Sequence, residues 1–420
     1  MTAYFYLIIL ICLSATFAYI NYRWIKLPFV IGLFLLSTVL SIGVLIVGNQ
    51  LHLPMDIVKE GLEKLHIEDI ILNILLGFLL FAGSLHTDWQ KVKGQLRAIS
   101  ILAVIGVIVS TIIIACLVYF TAGLLHLNIS FLYCLLFGAL ISPTDPIAVL
   151  GILTKAGVPE KTEVTIIGES LFNDGIGVVL FIALLEMVRT GTNSFEFGNF
   201  FWLFMQEAVG GILIGLLFGY FLHLLLRSVD HYETEILLTL AFVMGGYAFF
   251  NFLHISGALA MVVMGLMVGN FRQKEAMSDT TQEYVNKFWK LTDVILNAIL
   301  FILIAFVLLV IDFQWNYVLL GIITIFIVLL TRFIVVFLPA ALIPSYININ
   351  FKDAAIIWWG GLRGGLSLAL VLSLPPSETK EILLLITYIV VVFSIMIQGL
   401  TVDKAVHYFS NRKAKKEKLA

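Results

Sequence analysis

Five ionisable residues, Asp145, Glu169, Asp174, Arg332 and Arg363, stand well inside stretches apolar enough for a lipid bilayer. A charge at the bilayer centre costs about 2.5 kcal/mol or more even on the lenient insertion scale, so each needs a partner or a water-filled cavity. A carboxylate in such a place can take up one proton or one cation. An arginine there can neutralise an acid or offset the end of a helix dipole. Asp174 belongs to GESLFNDGIGVVLF (168–181). Helical spacing sets Glu169 beside Asn173 and Ser170 beside Asp174, each pair at i, i+4, on stripes about 100° apart. Gly168, Gly175 and Gly177 keep this surface thin enough for close helix approach. One face is therefore polar and narrow.

Asp145 stands in SPTDPIAV (142–149), between Pro143 and Pro146. Two prolines within four residues remove two amide donors and disfavour α geometry in the residue before each, so the helix breaks there. The freed backbone groups, with Thr144 and Asp145, make an oxygen-rich site suited to a hard monovalent cation. WWGGLRGGLSLALVL (358–372) sets four glycines around Arg363 and is a second break. Interrupted spans at matching positions in two halves are the sequence mark of an inverted-repeat transporter, with irregular backbone lining a cavity. In that geometry Asp145 and Arg363 offset the dipole ends of the facing half-helices. Asp174 and Asp145 read as ion-binding groups, against the alternative of carboxyls neutralised for packing. Glu169 reads as half of a structural ion pair with Arg332, and Arg363 as a structural counter-charge.

These residues must be positioned by membrane helices. The chain has 420 residues, 61% hydrophobic and only 12% charged, whereas a soluble domain is nearer half apolar and a quarter charged. The fold class is an all-α polytopic membrane protein, because barrel strands would alternate in polarity over about ten residues. About thirteen apolar runs lie near 3–20, 27–47, 68–87, 98–121, 130–154, 163–188, 200–226, 234–251, 256–271, 289–311, 315–340, 353–374 and 381–408. The first is read as a retained span and not a signal peptide. If spans alternate with a cytoplasmic C-terminus, only Lys59, Lys64, Arg189 and Lys380 fall outside, Arg332 and Arg363 lie in spans, and the other nineteen basic residues fall inside. The N-terminus is then outside. The segment 51–67 reads as an interfacial helix on the outer face, and the last dozen residues as a disordered basic tail. Glu207 and Asp293 read as interfacial. The three cysteines and eight histidines show no metal or disulfide pattern. Ser170 lacks the elbow of a serine hydrolase, so no enzyme is expected.

The motifs GALISPTDPIAVLGIL, GESLFNDGIGVVLF, HISGALAMVVMGLMVGN (254–270), GGLRGGLSLAL (360–370) and QGLT (398–401) resemble, in content and order, the NhaP/NHE-type sodium/proton exchangers. The resemblance runs from about residue 70 to 403. It implies two inverted repeats of crossed, locally unwound helices (1–190 and 234–408) around a linker helix (200–228), with a basic tail from 409. It implies a homodimer in the cell membrane, with a monovalent cation and a proton as the transported partners and neither cofactor nor nucleic acid. Asp174 would bind proton or Na⁺ alternately, with Thr144, Asp145, Ser170 and Asn173 close to the ion. Arg332 would be the partner of Glu169. The Asn173–Asp174 pair, where electrogenic relatives have two aspartates, implies electroneutral one-for-one exchange of Na⁺ or Li⁺. The absence of a long regulatory domain after the last span points to a bacterial or archaeal member. No acid falls between Asp69 and Asp88, so no ligand is assigned to the third run. A potassium/proton exchanger with the same site, or a channel or ion-gated sensor without coupled exchange, are the alternatives.

Overall fold

Backbone that leaves water must satisfy its own amides and carbonyls, so apolar runs of this length coil into helices. In the computed structural model each of the thirteen runs carries helix among its described residues. The structure describes residues 3–50, 67–145, 153, 157–189, 197–275, 278–311 and 313–416. Ten helices among them are long and apolar enough to cross a membrane. Those used below are α3 (Ile67–Leu85), α4 (Trp89–Leu124), α6 (Glu160–Arg189), α7 (Phe197–Arg227), α8 (Tyr232–Phe252), α10 (Asp279–Phe306) and α11 (Trp315–Leu342), preceded by α1 (Ala3–Ile20) and α2 (Phe29–Gln50). Two helices have shorter apolar lengths, α5 (Phe131–Ile141) and α9 (Gly257–Glu275, apolar over Gly257–Asn270). The run at 353–374 is two short helices, α12 (Phe351–Gly360) and α13 (Gly365–Leu372), separated by four residues. The last helix, α14, starts at Glu378, passes a wider turn at Ser394–Gln398 and continues to Lys416. The tail residues Arg412 to Lys416 therefore prolong a helix where disorder was expected.

Boundaries moved where a polar turn begins an apolar helix. α4 starts at Trp89, capped by the Asp88 carboxylate accepting from the Gln90 and Lys91 amides at 2.9 and 3.4 Å. Lys91, Lys93 and Arg97 thus lie on helix. α10 starts ten residues before its hydropathic run, so Asp293 lies about four turns inside it and not at an end. Glu207 is buried about three turns into α7, again not at an end. The expected interfacial helix at 51–67 lies outside the described residues, save for Ile67.

Small residues set the closest helix approaches, as is usual where lipid supplies no competing hydrophobic drive. A Cβ on Gly215 of α7 would stand 2.7 Å from the Ala260 carbonyl of α9. The helix carrying Glu169 and Asp174, α6, packs against α4, α5, α9 and α12. It is the centre on which the site is assembled.

Candidate functional site

The two breaks cross and bond to one another. α5 stops at Ile141, leaving the carbonyls of its last turn without helical partners. The buried Arg363 guanidinium meets the chain just past that end: Nη1 donates to the Ser142 carbonyl and to the Pro143 carbonyl, the latter at 2.9 Å. A cation at a helix C-terminus is where the dipole favours it. The Asp145 amide donates to the Leu362 carbonyl at 2.8 Å, an antiparallel bridge between the breaks. Ser367 of α13 donates to the Leu140 carbonyl at 2.7 Å. Asp145 itself lies against Gly364, the N-cap of α13. A Cβ at Gly364 would come 2.6 Å from the Asp145 Cβ, so glycine is required there by space.

α6 then lays its polar face on this crossing. Asn173 donates through Nδ2 to the Thr144 hydroxyl at 2.9 Å and accepts from the Thr144 amide at 3.3 Å. The Ser170 hydroxyl donates to the Thr144 carbonyl. Thr144, Ser170 and Asn173 are buried and largely occupied with each other. Asp174 differs: among the described residues it has no hydrogen bond and no salt bridge. It lines a cavity of about 790 Å³ together with Asp145, Ser170, Pro143 and Gly364. The two carboxylates thus share one cavity. Thr144 and Asn173 do not line the cavity, so the five residues read as ion-binding divide into three that face it and two behind them.

Glu169 points away from the cavity to a buried, two-pronged contact with Arg332 of α11. Nη1 meets Oε1, and Nη2 meets Oε2 at 2.8 Å. Nη2 also donates to the Ile357 carbonyl of α12 at 3.3 Å. The pair ties α6, α11 and α12 together, with both charges out of water.

The cavity also has residues not anticipated above. At its exposed end stand Lys91 and Glu160, paired at 2.6 Å, with Glu163, His86 and Lys290. Deeper, on α10, is Asp293, half-buried, whose carboxylate accepts from Asn297 Nδ2 at 3.0 Å. The Asp293–Asn297 spacing of four within an apolar run was a readable signal for a polar helix face. The wall given by α3 is apolar (Ile71, Leu76, Leu79, Leu80), in keeping with the lack of an acid between Asp69 and Asp88.

A family model described as "Sodium/hydrogen exchanger, transmembrane" matches residues 11–407. The chain is 42% identical over 403 residues to the Na(+)/H(+) antiporter NhaP of Pseudomonas aeruginosa, covering 94% of each chain. It is 36% identical to the Na(+)/H(+) antiporter NhaH of Halobacillus dabanensis, over 86% of this chain and 89% of that one. The structure of the sodium proton antiporter MjNhaP1 from Methanocaldococcus jannaschii superposes with a TM-score of 0.75 over 96% of this chain and 97% of that one, at 20% identity, a likeness of fold. Matched almost from end to end by sequence and by fold, this multi-pass membrane chain belongs to the sodium/hydrogen exchanger family.

Proposed function

We propose that the protein exchanges Na⁺ or Li⁺ for H⁺, one for one and without net charge movement, by alternating access with both ions competing for Asp174. One observation carries this reading: an acid with no bonded partner among the described residues stands at the inner end of a cavity, beside two crossed helix breaks. An unneutralised carboxylate in low dielectric is costly, so the empty site does not reorient. Either a proton or a cation must ride on it, and that exclusion couples the two fluxes. Asp145 and Ser170 complete the cation's oxygen shell, with Thr144 held behind them by Asn173. Glu169, Arg332 and Arg363 fix the frame. The mouth carries Lys91 and Lys290; with the C-terminus taken as cytoplasmic, charge sorting puts both on the cytoplasmic side, and this conformation then faces inward. The working form is a homodimer in the cell membrane.

Competition has a measurable sign. In proteoliposomes the apparent KM for Na⁺ should rise on acidification, approaching about tenfold per pH unit where one proton displaces one cation. Vmax at saturating Na⁺ should stay constant. A Vmax that falls with acid while KM holds would contradict a shared site.

Asp293 adds negative potential to the cavity without touching Asp174. Asp293→Asn should raise the KM for Na⁺ presented at the cavity mouth by roughly three- to tenfold at low salt, and less at high salt, as focusing by a cleft requires. An unchanged KM at low ionic strength would remove Asp293 from the ion path.

A further inference from the structure

The QGLT motif has no part in the site described so far, yet its first residue reaches it. Where α12 stops and α13 starts, carbonyls and amides lose their helical partners, and out of water each such group needs another. Two side chains from the wide turn of α14 supply them. Gln398 Nε2 donates to the Trp359 carbonyl at 3.3 Å. The Ser394 hydroxyl accepts the Arg363 amide at 2.8 Å and donates to Gln398 Oε1 at 2.8 Å. Thr401 accepts the Trp359 indole N–H at 3.0 Å. Ser394 and Gln398 are both buried. The turn itself closes through the Gly399 amide on the Ser394 carbonyl, five residues back; such turns insert one extra residue and re-aim the side chains around them.

The bonded chain runs on to the ion. Between the two anchored ends, Trp359 and Arg363, lies Leu362, whose carbonyl receives the Asp145 amide. We propose that Ser394 and Gln398 are positioning residues of the cation site: by holding Trp359 just before the Gly361–Gly364 break and Arg363 within it they fix Leu362, and through it the place of the Asp145 carboxylate in the cavity. The proposal rests on the exchanger reading for the identity of the ion, and on geometry for the brace.

The test compares wild type, Ser394→Ala, Gln398→Ala, the double variant and Ser394→Thr as full-length protein in proteoliposomes. KM for Na⁺ and for Li⁺ and Vmax per folded protein are read, with the rise in melting temperature on adding each ion as a second measure of affinity. Each alanine variant should raise KM roughly tenfold, the worth of one buried hydrogen bond, and should change the Li⁺/Na⁺ ratio because the oxygen shell is displaced. Ser394→Thr keeps both hydroxyl bonds and should match wild type. The double variant should be no worse than the weaker single, since both act through one brace. A fall confined to Vmax or to stability, with KM and ion ratio unchanged, would overturn the proposal. So would failure of both alanine variants to fold, since a brace that only places Asp145 is not needed for insertion. If wild type moves no protons with Na⁺, the exchanger reading fails instead, and the melting-temperature shifts alone decide the brace.

Discussion

Asp174→Ala in proteoliposomes should show no Na⁺- or Li⁺-driven proton movement above protein-free vesicles, a loss of at least about a hundredfold. The size follows from the role. Removing the carboxylate removes both the proton acceptor and the one ligand among the described residues that carries a full charge and no bonded partner. Asp145 does not substitute, because its backbone is tied to Leu362 and its side chain lies at the α13 N-cap. Asp174→Asn should fail equally, being isosteric but unable to change charge, whereas Asp174→Glu should keep part of the activity with altered cation affinity. The protein should remain folded in all three, since Asp174 bonds to nothing described. Size-exclusion profiles together with dye-reported proton flux check both halves of the prediction. Full activity in Asp174→Asn would remove this residue from the mechanism.

The second large effect is on folding. Glu169→Ala or Arg332→Ala leaves a charge buried without its partner, which costs about 3–5 kcal/mol. Against a total stability of roughly 5–15 kcal/mol, that is enough to reduce the yield of folded protein severely. A double replacement by apolar residues of similar volume (Glu169→Leu with Arg332→Met) should recover most of the yield, because a buried pair is often no more stable than packed hydrocarbon. Exchanging the two charges should recover less. The Arg332 guanidinium also donates to the Ile357 carbonyl, and a glutamate at that position cannot. The measurement is a double-mutant cycle on melting temperature and yield. Independent, additive losses would mean that the contact does not carry the stability assigned to it.

Legible in the sequence alone is whatever contradicts a bilayer. Asp174, Glu169, Arg332, the Pro143–Pro146 interruption and the glycines around Arg363 are conspicuous because each breaks a rule that the surrounding residues keep. The structure places Glu169 on Arg332 and sets Arg363 just past the carbonyl end of α5. Two kinds of information were not legible. One is which polar groups bond to one another: Asn173 and Ser170 both read as close to the ion, and only the structure shows both bonded to Thr144, with Ser170 facing the cavity and Asn173 behind it. The other is where a helix begins when its first turns are polar. DTTQEYVNKF (279–288) has the composition of a loop, yet it opens α10 and carries Asp293 into the cavity. The Asp145–Leu362 bridge joins residues far apart in the chain, and no local pattern announces it. The role of Gly364 followed only once Asp145 was seen against it.

The measurement that bears most directly on the account is proton flux through purified protein in liposomes with an acid interior and a pH-reporting dye, with the membrane voltage clamped by valinomycin and K⁺. Adding Na⁺ or Li⁺ should relieve the interior acidity at a saturable rate, unaffected by the clamped voltage, in wild type but not in Asp174→Ala. Relief that varies with voltage would contradict one-for-one exchange, and relief by K⁺ at comparable concentration would contradict the assigned ion. No proton movement with any cation, in protein shown to be folded, would contradict coupled exchange itself.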